Sequence, residues 1–185
     1  MVETNGRNFD LLTLGQVLLR LSPPDNERLS RGDTFVKQVG GAELNVAVGA
    51  ALLGLHTGVI SKLPAHDIGS FMKGKIRSFG VSDDFFMYDQ SSSARVGIYY
   101  YENGAYPRKP KVIYDRMNSS FFSLNIDEIP KEVYTASKCF HTTGITLALS
   151  PQIRETTIEM IKRFKEAGTL VSFDVNFRGN LWSGD

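Results

Sequence analysis

The feature that most constrains the fold of this 185-residue chain is a regular alternation of strand-like and helix-like segments. A strand-like run starts at Phe9, and the segments HTGVISKL, KCFH and TLVSFDV have the same character. Residues 42–54, 67–79 and 151–164 instead place apolar side chains at helical spacing. Strands that alternate with helices of this length predict an α/β fold, with a parallel sheet, right-handed crossovers and helices covering its faces.

Residues 95–102 (RVGIYYYE) and 111–116 (KVIYDR) interrupt this alternation. Both are strand-like, and the loop between them contains Asn103-Gly104 and two prolines, so they predict a hairpin outside the parallel sheet. Together with residues 18–39, they predict a small β-sheet lid made of two segments, about 18–39 and 94–116. The first strand is expected to continue from Phe9 through the VLLRLS segment.

Composition excludes several function classes. The chain has 21 Lys and Arg residues against 20 Asp and Glu residues, so it lacks the basic excess that tracks a nucleic-acid backbone. Its longest apolar stretch, residues 46–55, falls short of the roughly 20 residues that cross a bilayer, and its start has no signal-peptide pattern. The single cysteine, Cys139, and the three histidines show no metal-ligand spacing. We therefore expect a cytoplasmic protein with no nucleic-acid or membrane partner and no metal-binding residues of its own.

Residues 69–75 match the G-x-x-x-x-G-K spacing of a phosphate-binding loop, but two features argue against that reading. Ile76 stands where Ser or Thr should bind Mg²⁺, and the segment falls within a predicted helix. It is expected to be ordinary helix surface.

Gly40-Gly41 lies immediately before the first predicted helix. Two residues without Cβ allow a ligand to approach the backbone N–H groups at the positive end of the helix dipole. Asn45 follows in the first turn, and its amide both donates to and accepts from hydroxyl groups, which suits a polyol. From spacing alone, an equally good interpretation is a tight turn in which Asn45 has no binding role.

Alternation in the predicted hairpin places Tyr99 and Tyr101 on one face of the first strand, and Tyr114 and Arg116 on one face of the second. These faces can close over a ligand, with arginine offering a bidentate fork for a carboxylate. The alternative is an ordinary half-buried sheet or a dimer contact.

The segments after the strands KCFH and TLVSFDV begin at strand carboxyl ends, where ligands bind in open α/β sheets. Gly144, Asn176 and Arg178 are therefore expected to converge with the Gly41 turn on one cavity. Arg116 and Arg178 are the only arginines in the segments assigned to that cavity. Cys139 and His141 are interpreted as buried strand residues.

Four segments together are similar to the ribokinase-like (PfkB) carbohydrate kinases, and within them to the 2-keto-3-deoxygluconate kinases. They are GGAELNVAVGAALLG, RVGIYYYENGAYPRKPKVIYDRMNSS, HTTGITLALSP and SFDVNFRGNLW, and the resemblance covers residues 10–182. It implies a three-layer αβα core with a β lid, ATP and Mg²⁺ as cosubstrates, and phosphorylation of a sugar hydroxyl.

Carried over position by position, the resemblance implies a set of sugar-binding residues: Gly40, Gly41, Asn45, Tyr99, Tyr114, Arg116, Ile145 and Arg178. The family usually has an acid where this chain has Gln16. The family segment D-T-x-G-A-G-D, which carries the catalytic base, does not occur. Residues 1–185 are therefore expected to form the substrate-binding part, with no catalytic residue of their own and with the base and the ATP-binding part beyond residue 185.

The expected substrate is 2-keto-3-deoxygluconate or a similar sugar acid, and the expected assembly is a homodimer formed through the lid. Two alternatives remain open at this point. One is a kinase of a neutral sugar such as fructose, and the other is a sugar-binding module without catalysis.

Overall fold

The computed structural model describes residues 6–182; residues 1–5 and 183–185, which the sequence analysis assigns to the same domain, lie outside the described part. Within residues 6–182, ten strands and five α-helices follow one another in chain order, with two short 3₁₀ turns at Ser120–Ser123 and Ile126–Glu128. The strands are β1 (Phe9–Leu14), β2 (Leu18–Ser22), β3 (Val36–Gly40), β4 (Thr57–Pro64), β5 (Val81–Ser82), β6 (Phe86–Asp89), β7 (Gly97–Glu102), β8 (Lys111–Asp115), β9 (Ser137–Thr143) and β10 (Leu170–Asp174). The helices are α1 (Ala42–Leu52), α2 (Asp67–Arg77), α3 (Val133–Ala136), α4 (Gly144–Leu147) and α5 (Pro151–Glu166).

Six strands form a parallel sheet, called the core sheet below. Its order is β10-β9-β1-β4-β5, and β6 also pairs with β4. Every pairing in this sheet is parallel, with β1 between β4 and β9. The carboxyl ends of β1, β9 and β10 therefore lie side by side.

Apolar side chains bury both faces of the core sheet. On one face, Phe140 of β9 packs with Phe164 and Met160 of α5 in a fully buried cluster. On the other face, Val59 of β4 packs with Leu44 of α1 and Met72 of α2. Helices on both sides of a parallel sheet confirm the predicted α/β class.

The remaining four strands form a second sheet, called the lid sheet below, in the order β3-β2-β7-β8. Strands β7 and β8 are the antiparallel hairpin that the sequence predicts, with Tyr99 opposite Tyr114. Strand β2 pairs in parallel with β7 and antiparallel with β3. The lid sheet is therefore assembled from two segments that are separated in the chain by α1, β4, α2, β5 and β6.

Two local predictions need correction. The first predicted strand is two strands, because the chain leaves the core sheet after Leu14 and enters the lid sheet at Leu18. The second helix ends at Arg77, so Phe79 lies beyond it and is 37% exposed, and Gly80 follows in a left-handed conformation. The segment with phosphate-loop spacing lies inside α2, where Gly69 packs against the carbonyl oxygen of Pro64. Among residues 6–182, no helix is both long and apolar enough to span a bilayer.

Candidate functional site

A cavity of about 980 Å³ lies between the lid sheet and the carboxyl ends of the core strands β1, β9 and β10. Its walls bring together seven of the eight sugar-binding residues expected from the sequence. They are Gly41, Asn45, Tyr99, Tyr114, Arg116, Ile145 and Arg178. The exception is Gly40, which does not line the cavity but lies under the Tyr99 ring, where a Cβ would come within 2.5 Å of the Tyr99 hydroxyl. Gly144 and Asn176 were also expected at the cavity but do not line it, and Gly144 instead packs against the carbonyl oxygen of Val175.

Gly41 is the N-cap of α1 and has a φ of 152°, a conformation that favours glycine. A Cβ at this position would lie 2.8 Å from the carbonyl oxygen of Gln16. The glycine is therefore required both for the turn into α1 and for its close contact with the β1–β2 connection. Asn45, one turn further along α1, is exposed into the cavity.

The lid wall of the cavity is aromatic. Tyr99 and Tyr114 are cross-strand neighbours with ring centroids 6.0 Å apart, and Tyr101 extends the same face. Burial raises the pKa of Tyr99, and the nearby Arg20 cation acts in the opposite direction. These rings offer apolar faces with hydroxyl groups at their tips, a surface suited to a sugar.

Arg116 follows β8 and is buried, with 9% of its surface exposed. Its Nε donates to Gln16 Oε1 at 2.7 Å, and Gln16 Nε2 donates in return to the Arg116 carbonyl oxygen at 3.1 Å and to Ser119 Oγ at 2.6 Å. Burial lowers the pKa of Arg116, while Tyr114 and Glu43 act in the opposite direction. Gln16, noted in the sequence as a departure from the family acid, thus holds the guanidinium at the cavity wall.

Arg20, on β2, is a third arginine of the cavity, so the expectation of only two was wrong. Its Nε donates to Ser22 Oγ at 2.9 Å, and its guanidinium carbon lies 4.3 Å from the centroid of the Tyr101 ring. The sequence signal was a charged residue within the alternating segment LLRLS. It was missed because residues 18–39 were assigned to the lid, and also to a continuation of the first strand, without being counted among the segments that line the cavity.

Glu43, in the first turn of α1, was also missed. It lines the cavity although only 2% of its surface is exposed. Its Oε1 accepts hydrogen bonds from Thr143 Oγ1 at 2.6 Å and Thr146 Oγ1 at 2.7 Å. A glutamate at the start of a helix is common because it complements the dipole, so nothing in the sequence indicated that Glu43 is buried.

The cavity therefore has an uneven distribution of charge. Three arginines line it, against the carboxylates of Glu43 and Asp115, and Asp115 is paired with Arg95 at 2.8 Å. Hydroxyl and amide groups of the tyrosines and Asn45 lie between them. This arrangement suits a ligand that has one anionic group and several hydroxyl groups.

Within the part of the chain that the structure describes, no group of three or more His, Cys, Asp or Glu side chains is placed to hold a metal ion.

The family model for pfkB carbohydrate kinases matches residues 8–184 of this chain. The chain belongs to this family. Among curated relatives, the 2-dehydro-3-deoxygalactonokinase of Haloferax volcanii is 40% identical over 94% of this chain and 54% of the relative. The 2-dehydro-3-deoxygluconokinase of Bacillus subtilis is 30% identical over 94% of this chain and 53% of the relative. The chain thus spans about half the length of the curated relatives it matches.

Solved structures of the family superpose closely on this fold. The 2-dehydro-3-deoxygluconokinase of Thermotoga maritima has a TM-score of 0.89 and 36% identity, over 95% of this chain and 53% of that one. A fructokinase of Xylella fastidiosa with bound ATP has a TM-score of 0.80 and 25% identity, over 95% of this chain and 51% of that one. The similarity confirms the ribokinase-like architecture expected from the sequence.

Proposed function

We propose that this pfkB family chain supplies the substrate-binding part of a kinase that transfers the γ-phosphate of ATP to a hydroxyl of 2-keto-3-deoxygluconate or a closely related sugar acid. The observation that carries the proposal is Arg116, a buried guanidinium at the cavity wall. Its Nε is used by Gln16, and its two Nη groups have no hydrogen-bond partner among residues 6–182. A buried arginine with free donors favours an anionic ligand over a neutral one.

Relatives support the same substrate class. The two curated relatives described above are named as kinases of 2-dehydro-3-deoxy sugar acids. In this proposal the carboxylate of the sugar acid binds Arg116 and Arg178, and Asn45, Tyr99 and Tyr114 contact its hydroxyl groups. Gly41 and Ile145 shape the floor of the cavity, while residues of the lid sheet exclude water.

ATP and Mg²⁺ are part of this proposal through the family and through the ATP-bound fructokinase. The described residues do not fit either group: they offer no acidic cluster for the ion, and the segment with phosphate-loop spacing is helical. We therefore place the nucleotide site and the catalytic base in sequence beyond residue 185. The contribution of residues 6–182 is to bind and orient the acceptor sugar, which is a large part of catalysis in phosphoryl transfer.

We also propose a cytoplasmic homodimer that forms through the lid sheet. Ile113 and Phe35 of the lid are 43% and 41% exposed beside Tyr100, on the face opposite the cavity-lining Val112 and Tyr114. A partner lid would bury this apolar surface. Light scattering of the complete protein is expected to give a dimer, and Ile113→Asp is expected to give a monomer. A wild-type monomer at high concentration would contradict the proposal.

The function is tested in the complete protein, with the sequence that its gene encodes after Asp185, by coupled ADP release. Turnover is expected with 2-keto-3-deoxygluconate or its galactonate epimer and not with fructose. Arg116→Ala should raise the KM for the sugar acid by at least about tenfold, because a charge-assisted hydrogen bond contributes about 1.5–3 kcal/mol.

Three results decide between the alternatives. Preferred turnover of fructose would favour the neutral-sugar kinase, and binding of sugar without ADP release would favour the sugar-binding module. Equal losses on acid and neutral sugars in Arg116→Ala would remove the carboxylate role. The 185-residue chain alone is expected to release no ADP, and release above a no-enzyme control would show that the base is misplaced in this proposal.

A further inference from the structure

The side chain of Glu43 is a buried carboxylate that forms no close ion pair among the described residues, and the Arg116 guanidinium interacts with it only at longer range. Burying an uncompensated carboxylate is costly, and hydrogen-bond donors must offset that cost. Two threonine hydroxyls donate to Glu43 Oε1, and the positive end of the α1 dipole lies beside it. A carboxylate that is buried at such a cost in free energy is expected to have a specific role.

The bond from Thr143 connects Glu43 to the cavity floor. Thr143 is the N-cap of α4, and its Oγ1 accepts a hydrogen bond from the backbone N–H of Ile145 at 3.2 Å. A hydroxyl has only one hydrogen, and here it is donated to Glu43 Oε1. Glu43 therefore orients the Thr143 hydroxyl so that a lone pair of Oγ1 faces the backbone N–H of Ile145, a residue that lines the cavity.

The second carboxylate oxygen of Glu43 packs on Gly15. A Cβ at Gly15 would overlap the Glu43 carboxylate, so the glycine is needed for this contact. Gly15 is followed by Gln16, the residue that holds Arg116. The same carboxylate thus contacts the β1–β2 connection and the β9–α4 connection, while its own backbone belongs to α1.

We propose that Glu43 is a positioning residue of the substrate cavity: it fixes α1, the β1–β2 connection and the β9–α4 connection relative to one another, and so sets Arg116 and Ile145 for the sugar acid. This inference rests on the proposed function, because its main readout is the kinetics of that reaction. The role needs an acceptor that reaches both threonines, and it does not need direct contact with the substrate.

Three variants of the complete protein test the proposal. Glu43→Ala removes the acceptor and is expected to raise the KM for the sugar acid by about tenfold, with kcat within about threefold of wild type. Glu43→Gln retains a carbonyl oxygen that can accept from both threonines, so its KM is expected within about threefold of wild type. Thr146→Val removes one donor only and is expected to have a smaller KM increase than Glu43→Ala.

Thr157→Val is the matched control for a loss of core stability. Thr157 is buried in α5 and donates to the Ile153 carbonyl oxygen at 2.7 Å, outside the cavity. This variant is expected to lower the melting temperature without changing KM. Amide hydrogen exchange gives a readout that does not depend on activity. The Ile145 N–H should exchange at least about fivefold faster in Glu43→Ala than in wild type, which corresponds to a loss of about 1 kcal/mol of local stability. In Thr157→Val its exchange rate should be the same as in wild type.

The outcomes separate this inference from the proposed function. A wild-type protein without sugar-acid turnover contradicts the function, and the exchange of Ile145 then still tests the positioning role. An active wild type with unchanged KM and unchanged Ile145 exchange in Glu43→Ala overturns the inference. A KM in Glu43→Gln as high as in Glu43→Ala also overturns it, because the negative charge and not the acceptor would then be needed. If Glu43→Ala does not fold, the other two variants decide. Unchanged KM and unchanged Ile145 exchange in Thr146→Val overturn the inference, and so does a KM raised by about tenfold in Glu43→Gln.

Discussion

The two sheets differ in how they satisfy the polar groups around the cavity. At the carboxyl ends of the core strands, hydroxyls are bonded within the protein: Ser61 Oγ donates to the Gly15 carbonyl oxygen at 2.8 Å and Thr142 Oγ1 to the Leu14 carbonyl oxygen at 3.0 Å. In the lid sheet, Tyr99 and Tyr101 are half-buried and Tyr114 is exposed. These core hydroxyls are bonded without a ligand, whereas the tyrosines of the lid remain accessible to one. This contrast is what a site needs when one wall positions a ligand and the other closes over it.

Apolar packing shows the same difference. The rings of Phe140 and Phe164 stack at 4.1 Å in the core, and both side chains are fully buried. In the lid sheet, Val112 and Ile113 are 42% and 43% exposed. Stability is therefore concentrated around the core sheet, while the lid sheet contributes surface for binding.

The largest expected effect tests this uneven distribution of stability. Phe164→Ala removes a ring packed against Phe140 and Tyr134, and should lower the free energy of unfolding by about 3–5 kcal/mol. Ile113→Ala, on the lid sheet, should cost less than about 1 kcal/mol, because much of its side chain is exposed. Chemical denaturation of the complete protein measures both values.

Both variants need the same protein concentration, because dimerisation would add to the apparent stability of the lid. Similar losses in the two variants would show that the lid sheet is as important for stability as the core. A large loss in Ile113→Ala that disappears on dilution would instead indicate a subunit contact.

A smaller effect is expected where the two sheets meet, at Gln16 and Arg116. Gln16→Glu keeps an acceptor for Arg116 Nε but loses the donor to Ser119 Oγ and places a carboxylate beside the guanidinium. That carboxylate competes with the substrate carboxylate, so the KM for the sugar acid should rise by about fivefold to tenfold. The KM for a neutral sugar, if one is turned over, should change less. Steady-state kinetics on both sugars measure the difference.

The matched control for Gln16→Glu is Gln152→Glu, the same substitution at an exposed position on α5. A lower KM for the sugar acid in Gln16→Glu would contradict the competition argument. It would also mean that the amide of Gln16 is not suited to an anionic substrate.

Much of the candidate site was predictable because it depends on topology. Parallel strands bring their carboxyl ends to one edge, so Gly144, Asn176 and Arg178 were expected to converge with the Gly41 turn, but only Gly41 and Arg178 line the cavity. Alternation placed Tyr99 on a ligand-facing side of its strand and Tyr114 on that of the next, and both line the cavity; Ile145, which the family resemblance implied, also lines it. The α/β class followed from the same alternation of strands and helices.

The parts that sequence reasoning missed depend on single contacts between distant residues. Glu43 bonds to Thr143 across 100 positions of the chain, and Gln16 bonds to Arg116 across another 100. No periodicity connects such pairs, and a glutamate in a first helical turn is equally common on a surface. Arg20 was missed for a different reason: residues 18–39 were assigned to the lid, but this segment was not predicted to face the cavity.

The smallest expected effect is a pH dependence of the free energy of unfolding, and it should arise in the core sheet. His141 of β9 is 6% exposed, with its Nδ1 3.0 Å from Ser172 Oγ. Burial lowers the pKa of His141 below its usual value of about 6.5, and the carboxylates of Glu43 and Asp174 act in the opposite direction. In the lid sheet, burial instead raises the pKa of Tyr99, so this group does not titrate in mildly acidic solution.

The sign of the effect follows from which state binds the proton first. Above about pH 6.5 His141 is neutral in both states and its contribution to stability is complete, but as the pH falls the unfolded chain is protonated before the folded one. The free energy of unfolding should therefore fall more between pH 7.5 and 5.5 in wild type than in His141→Asn, which keeps a polar atom near the Nδ1 position. Melting curves at several pH values measure this, with His66→Asn at an exposed position as control. Equal pH profiles for wild type and His141→Asn would show that the pH sensitivity of the core sheet arises elsewhere.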